Sequence, residues 1–259
     1  MAGTKRTGIV LQERDRHLLS ELGVMRIIDR DGAKLVAGFG STTRANTRLL
    51  KLTRAGLLRR FFTGTIASGR KAVYTLSPKG GEAVHAQFEG IKRPSGRLVR
   101  GDRFVEHQSA INDAYIAIKY RPSPHPHFRL LRWLSFRREI AEGIKLKPDG
   151  YFEVQTGDLI RPMFLEVDLG TEALSIWQQK TGYYLQLALS GAFQQRFRQP
   201  QFRVLVVATS ESRLHHVRAV VAKQTDKIFW FATFESIKRH DFWSPCWLRP
   251  TGDQGRGLL

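Results

Sequence analysis

Asp149, Glu166 and Asp168 are the residues of this sequence best placed to do chemistry. Asp149 follows Pro148 at the start of the β-prone stretch LKPDGYFEV, and Glu166 and Asp168 stand two apart in a second, FLEVDLGTE. Residues two apart on a strand leave the same face, so carboxylates on two neighbouring strands would converge. Such a set suits a hard divalent cation: Mg2+, or Mn2+ in its place, takes oxygen ligands and keeps several waters. A cation held by Asp149, Glu166 and Asp168 could polarise a scissile phosphate and activate water for its hydrolysis. A plainer arrangement competes with this one: Asp149 in a turn, Glu166 paired with a basic neighbour, and the surrounding domain a scaffold or dimerisation platform. Glu172, at a helix start, suits the helix dipole better than a ligand role.

A second group of residues could recognise a polyanion. In STTRANTRLLKLTRAG, residues 41–56, a helical period puts Ala45, Leu49 and Leu52 on one stripe and Arg44, Arg48 and Lys51 on the next. Thr42, Thr43, Asn46 and Thr47 lie toward the front. Short polar side chains there can reach base edges, while the arginines and the lysine can pair with guanine or phosphate. Two β-prone runs follow, LLRRFF and KAVYTLS, joined by TGTIASGR with Arg70 and Lys71 at its exit. A basic hairpin after a basic helix suits a helix in the major groove with a wing on the flanking backbone. Alone, the helix could be a solvated basic face and the hairpin could merely cap the core.

The overall charge agrees. The chain of 259 residues has 42 Lys and Arg against 23 Asp and Glu, a formal net charge of +19, which makes nucleic acid the first candidate partner. Residues 1–100 hold 20 of the basic but 7 of the acidic side chains, and between Asp31 and Glu82 ten basic residues meet no acidic one. The single cysteine, Cys246, excludes an internal disulfide and a cysteine-rich zinc site, as a reducing cytoplasm would lead one to expect. No apolar run is long enough for a membrane span. The eight histidines have no zinc-site spacing, and there is neither a GxxxxGK[ST] phosphate loop nor a GxSxG elbow. A covalent tyrosine mechanism would need a histidine metal cluster that is absent.

The elements that must position these groups fall into two domains. A first helix over Gln12–Leu22, ended by Gly23, and a second over Asp31–Ala37 precede the basic helix, which Ser41 caps. SPKGGEAVHAQF then reads as a closing helix capped by Ser77. The predicted organisation is a winged helix-turn-helix over 1–90, a basic linker over 91–101 rich in Gly, Pro and Ser, and an α/β domain over 102–259. The second domain opens with a helix over Asp102–Tyr120. Strands are expected at 127–136, 146–154, 162–169, 202–209 and 227–233, and helices at Glu172–Phe197 and Ser212–Lys223.

The segments LxRAGLLRR and YTLSPKG, with the helices before them, resemble winged-helix DNA-binding domains, and specifically the first half of the bacterial replication-relaxation family of plasmids and other mobile elements. The second half resembles the PD-(D/E)xK nuclease superfamily, which implies a restriction-endonuclease-like α/β sandwich with a mixed sheet. Pro148-Asp149 stands as the PD element and Glu166-Val167-Asp168 where the E-x-K triplet belongs. The triplet lysine is thus replaced by Asp168. Some members supply it from the next helix, which here carries Lys180 in WQQKTGYY. That helix also has Gln179-x-x-x-Tyr183, similar to a motif of a subset of these nucleases, and Lys180-x-x-x-Tyr184 beside it. The PDG strand, the FLEVDLGTE segment and the K-x-x-x-Y helix resemble the replication-relaxation family as well. The resemblance implies a cytoplasmic, nucleoid- or plasmid-associated protein that binds double-stranded DNA and carries a Mg2+-dependent endonuclease domain. It leaves open a non-catalytic transcriptional or copy-number regulator whose second domain serves homodimerisation or binds replication, mobilisation or defence proteins.

Overall fold

The computed structural model describes residues 9–64, 70–86, 98–99 and 102–259 except 124 and 126. Contacts divide the chain into two units, Met1–Ile116 and Ala117–Leu259. The first begins with α1 (Glu13–Met25), whose start is fastened by Asp15 accepting from Gln12 N at 2.7 Å. Gly23, expected to end this helix, lies inside it: a Cβ there would sit 3.1 Å from the Ala86 methyl, so the glycine serves close packing. The helix stops instead at Arg26, with φ +66°. β1 (Ile28–Asp29) leads into α2 (Arg30–Val36), capped by Asp29 accepting from Gly32 N at 2.7 Å. α3 (Thr42–Arg54) starts at Ser41, whose hydroxyl accepts from Arg44 N at 3.2 Å. As the helical period requires, Ala45, Leu49 and Leu52 are fully buried.

β2 (Leu58–Thr63) and β3 (Lys71–Leu76) form an antiparallel hairpin in register Leu58↔Leu76 to Thr63↔Lys71, with β1 on the outer side of β3. α4 (Pro78–Glu82) follows, and β4 (Leu98–Val99) pairs in parallel with β2, giving the order β1-β3-β2-β4. The hairpin tip at 65–69 and the rest of the expected linker 91–101 lie outside the described residues. α5 (Arg103–Lys119), expected to open the second domain, packs on the first unit. Its Asn112 amide donates to Met25 O at 3.0 Å and Ile27 O at 2.8 Å, and Tyr115 OH donates to Glu21 at 2.7 Å. Val105 joins Ile27, Phe61 and Val73 in one apolar cluster.

The second unit is built on a five-stranded mixed sheet: β5 (Phe128–Leu134), β6 (Gly150–Thr156), β7 (Leu159–Asp168), β8 (Arg203–Ala208) and β9 (Phe229–Thr233), in that spatial order. β5, β6 and β7 are antiparallel neighbours, whereas β7, β8 and β9 run parallel. Strands of a parallel layer covered on both faces read as unbroken apolar runs, and nearly every residue of β8 and β9 is buried. The crossovers are α6 (Leu174–Leu189) with α7 (Ala192–Phe197), and α8 (Glu211–Ala222). The single helix expected over 172–197 is broken at Gly191, whose φ of +77° no helix interior adopts. Trp177, Tyr184, Leu214 and Val217 pack with Phe164, Val206 and Phe231 on one face of the sheet. α9 (Phe234–His240) and the C-terminal segment follow, where Phe242 packs on Phe152 and Trp247.

Candidate functional site

Two places gather the chemistry the sequence singled out. The first is the outward side of α3. Thr43, Arg44, Thr47 and Lys51 are exposed, Thr42 and Asn46 half-buried, and Thr43, Arg44, Thr47 and Lys51 line a shallow groove with Gln12, Arg14 and Phe39. Among the described residues neither Arg44 nor Lys51 forms an ion pair. Arg48 is different. Its guanidinium donates to both carboxylate oxygens of Asp15, through Nε at 2.8 Å and through Nη2, and also to Val10 O at 2.8 Å. Asp15 is fully buried, and its hydrogen bond raises the Arg48 pKa. Arg48 therefore ties α3 to α1, and the expected three-residue stripe divides into one anchor and two outward cations. In the hairpin, Arg70 is exposed while Lys71 pairs with Asp29.

The second place is the end of β7. Glu166 is 1% exposed; its Oε1 accepts from Tyr184 OH at 2.6 Å and its Oε2 from Lys180 Nζ at 3.0 Å. Lys180 also donates to both oxygens of Glu172, at 3.3 and 3.0 Å, and lies 5.1 Å from the Trp177 ring centre. Glu172 is thus a lysine partner rather than a group held by the helix dipole. Asp149, half-buried, accepts from Val167 N at 2.8 Å, beside Glu166. Burial, then the Asp149 charge, pushes the Glu166 carboxyl up to about 7 against the opposing pull of Lys180. Lys180 is itself pushed up, the carboxylates of Glu166, Glu172 and Asp149 outweighing its burial. Lys180 and Tyr184, one turn apart, are the pair that meets the strand; Gln179 is exposed and Tyr183 packs at the rim of the core.

Asp168 leaves this group. It does share the Glu166 face, but Arg213 of α8 holds it in a bidentate pair, with Nε at 3.0 and 3.1 Å and Nη2 at 2.9 Å. Trp177 Nε1 and Gly170 N, the latter at 2.6 Å, also donate to it. With its oxygens so engaged, Asp168 joins β7 to α6 and α8 rather than Asp149 and Glu166. Among the described residues no group of three or more His, Cys, Asp or Glu could hold a metal ion.

A family model described as replication-relaxation matches residues 18–199. The chain belongs to the replication-relaxation family. The match runs from α1 through the α7 segment, so it takes in both the outward side of α3 and the Asp149, Glu166 and Lys180 group. Membership of the replication-relaxation family supports a replication-related role. No curated protein and no solved structure matches the chain. Among the described residues no helix is long and apolar enough to cross a membrane. Two site residues escaped the sequence, Arg14 and Arg213, and Glu172 was noticed there but not as the partner of Lys180. Arg14 carried a signal, being a basic residue on the first turn of a helix that precedes the basic one. Arg213 carried none, lying 45 residues beyond the aspartate it holds.

Proposed function

We propose that this replication-relaxation protein binds double-stranded DNA through its first unit, acting as a winged helix-turn-helix in the replication of a plasmid or other mobile element in the bacterial cytoplasm. One observation carries the reading: α3, which contains no carboxylate of its own, buries its apolar stripe completely and presents Thr43, Arg44, Thr47 and Lys51 outward. The Ser41 cap and the Arg48–Asp15 tie hold the helix rigidly enough for short side chains to reach base edges while Arg44 and Lys51 meet phosphates. The β2–β3 hairpin, with Arg70 exposed, supplies the wing. Equilibrium binding of the full chain to duplex DNA tests this. Arg44→Ala with Lys51→Ala is expected to weaken binding at least about tenfold and to make it less salt-dependent; unchanged affinity and slope would refute the assignment.

A second reading, metal-dependent phosphodiester hydrolysis, is favoured by the meeting of Glu166, Lys180 and Asp149 at the end of β7. The donor set fits a hard cation in part: two oxygen ligands whose charges repel each other, one of them half-exposed. Asp149 and Glu166 would hold Mg2+, which would supply polarisation of a phosphate and a more acidic water. Lys180, already fixed by two carboxylates, would orient a water or steady negative charge. Asp168 is left out, its place being structural. Incubating supercoiled and linear DNA with the protein in Mg2+ or Mn2+ decides: cleavage lost in Asp149→Ala and Glu166→Ala supports the reading, and cleavage equal in all three proteins, or none, sinks it in favour of a non-catalytic second unit.

A further inference from the structure

The sheet face opposite Glu166 carries Arg161 and Arg203, with Arg249 over Trp230 and Arg256 close enough to act on Arg249, and among the described residues none of the four has a carboxylate partner. Alternation along β7 turns Arg161 away from Glu166, and the register Met163↔Arg203 and Leu205↔Trp230 places Arg203 and Trp230 on that same face. Arg203 and Arg249 each lie 4.8 Å from the Trp230 ring centre. Their other bonds go to neutral acceptors: Arg203 to Leu258 O at 2.6 Å, Arg249 to Asp226 O at 2.7 Å, and Arg161 to the Thr156 hydroxyl. Arg256 is exposed, next to the bridge that joins Trp247 to it. Among the described residues none of the four forms an ion pair.

This crowding is unfavourable as it stands. Burial lowers the Arg203 pKa, and the charges of Arg161 and Arg249 lower it further. Burial and then Arg256 do the same to Arg249, with Asp226 acting weakly against them. Guanidinium groups do not shed their proton in proteins, so a bound anion would relieve the repulsion that water and salt leave unscreened. Trp230, 8% exposed, has a buried indole N–H with no hydrogen-bond partner among the described residues. A guanidinium fork matches phosphate oxygens in pairs, and arginines spread over two strands and the C-terminal segment suit a repeating backbone better than one phosphate.

We propose that Arg161, Arg203, Arg249 and Arg256, arrayed around Trp230, form a second phosphate-binding surface of the protein that takes the backbone of duplex DNA. The inference rests on the chain being a DNA-binding protein, but on residues distinct from those of α3, so the two assignments fail separately.

The test is anisotropy of a labelled duplex with the full chain over a range of salt. Arg161→Gln with Arg256→Gln removes two half- or fully exposed charges with little demand on the fold. Binding should fall about tenfold at low salt, and the slope of log affinity against log salt should flatten by about 1.8, the change for two lost phosphate contacts. Arg161→Lys with Arg256→Lys should keep the slope. Wild-type binding by the glutamine pair beside weakened binding by the Arg44→Ala and Lys51→Ala protein overturns the patch alone, and wild-type binding by both overturns the patch and the α3 assignment together. A lysine pair as weak as the glutamine pair also overturns the patch, because charge would then not be the cause.

Discussion

At the scale of residues, the same side chain can look like a site in sequence and a fastening in space. Glu166 is where chemistry is held in reserve. Its folded carboxyl keeps a proton to about 7, above the ordinary 4.5, because burial and Asp149 outweigh Lys180 and Tyr184. A group whose folded pKa is raised favours the fold while protonated, so this contribution is complete below about 4.5 and is withdrawn as pH rises through about 7. Carbon-detected titration of Glu166 should show a midpoint near 7, lower in Asp149→Asn and higher in Lys180→Met; two variants that leave it unmoved would contradict the electrostatic account. Spacing foretold that Glu166 and Asp168 share a face, and they do. It could not foretell that Arg213 claims Asp168 or that Asp15 claims Arg48, since each partner lies tens of residues away and is matched by shape in the fold. Arg48 had the same helical address as Arg44, and only the third dimension separates anchor from contact.

At the scale of elements, most strands were legible because apolar runs of β-prone residues have few alternatives, and α3 was legible because its period, cap and charge agree. The strand expected at 146–154 begins only at Gly150 and leaves Asp149 in the bend before it. The helices gave way at their ends and allegiances. α5 has the apolar spacing of a helix, yet nothing in that spacing says which core receives Val105 and Tyr115. The expected helix over 172–197 breaks at Gly191, where a single positive φ decides what periodicity does not. The junction of α3, the hairpin and α4 shows how LxRAGLLRR and YTLSPKG work together. Ser77 Oγ lies 2.5 Å from Gly56 O and 3.0 Å from Leu57 O, Lys79 Nζ donates to Ala55 O at 2.9 Å, and a Cβ on Gly80 would fall 2.0 Å from Leu57 O. Gly80→Ala should therefore destabilise the protein by roughly 2 kcal/mol or more, as overpacking against backbone does. A thermal midpoint equal to wild type would show that the α4 turn gives way freely.

At the scale of the whole molecule, two units, each with its own core, carry different surfaces: an outward basic helix face on one, and on the other an acidic group at the end of β7 with an arginine face behind the sheet. The net charge of +19 is thereby given a structure. Part of it is internal, in Arg48, Lys180 and Arg213, part is paired at the surface, as Lys71 is with Asp29, and part is presented. The replication-relaxation family accounts for the two halves occurring together, and the central claim is that α3 is the part that meets duplex DNA. A photo-crosslinking amino acid in place of exposed Thr47 tests this most directly, with the same group in place of Glu82 on α4 as the comparison. Irradiation is expected to give a covalent adduct with duplex DNA at position 47 and little at position 82; a protein that retains the duplex yet gives no adduct at position 47 would refute the placement of α3 on DNA.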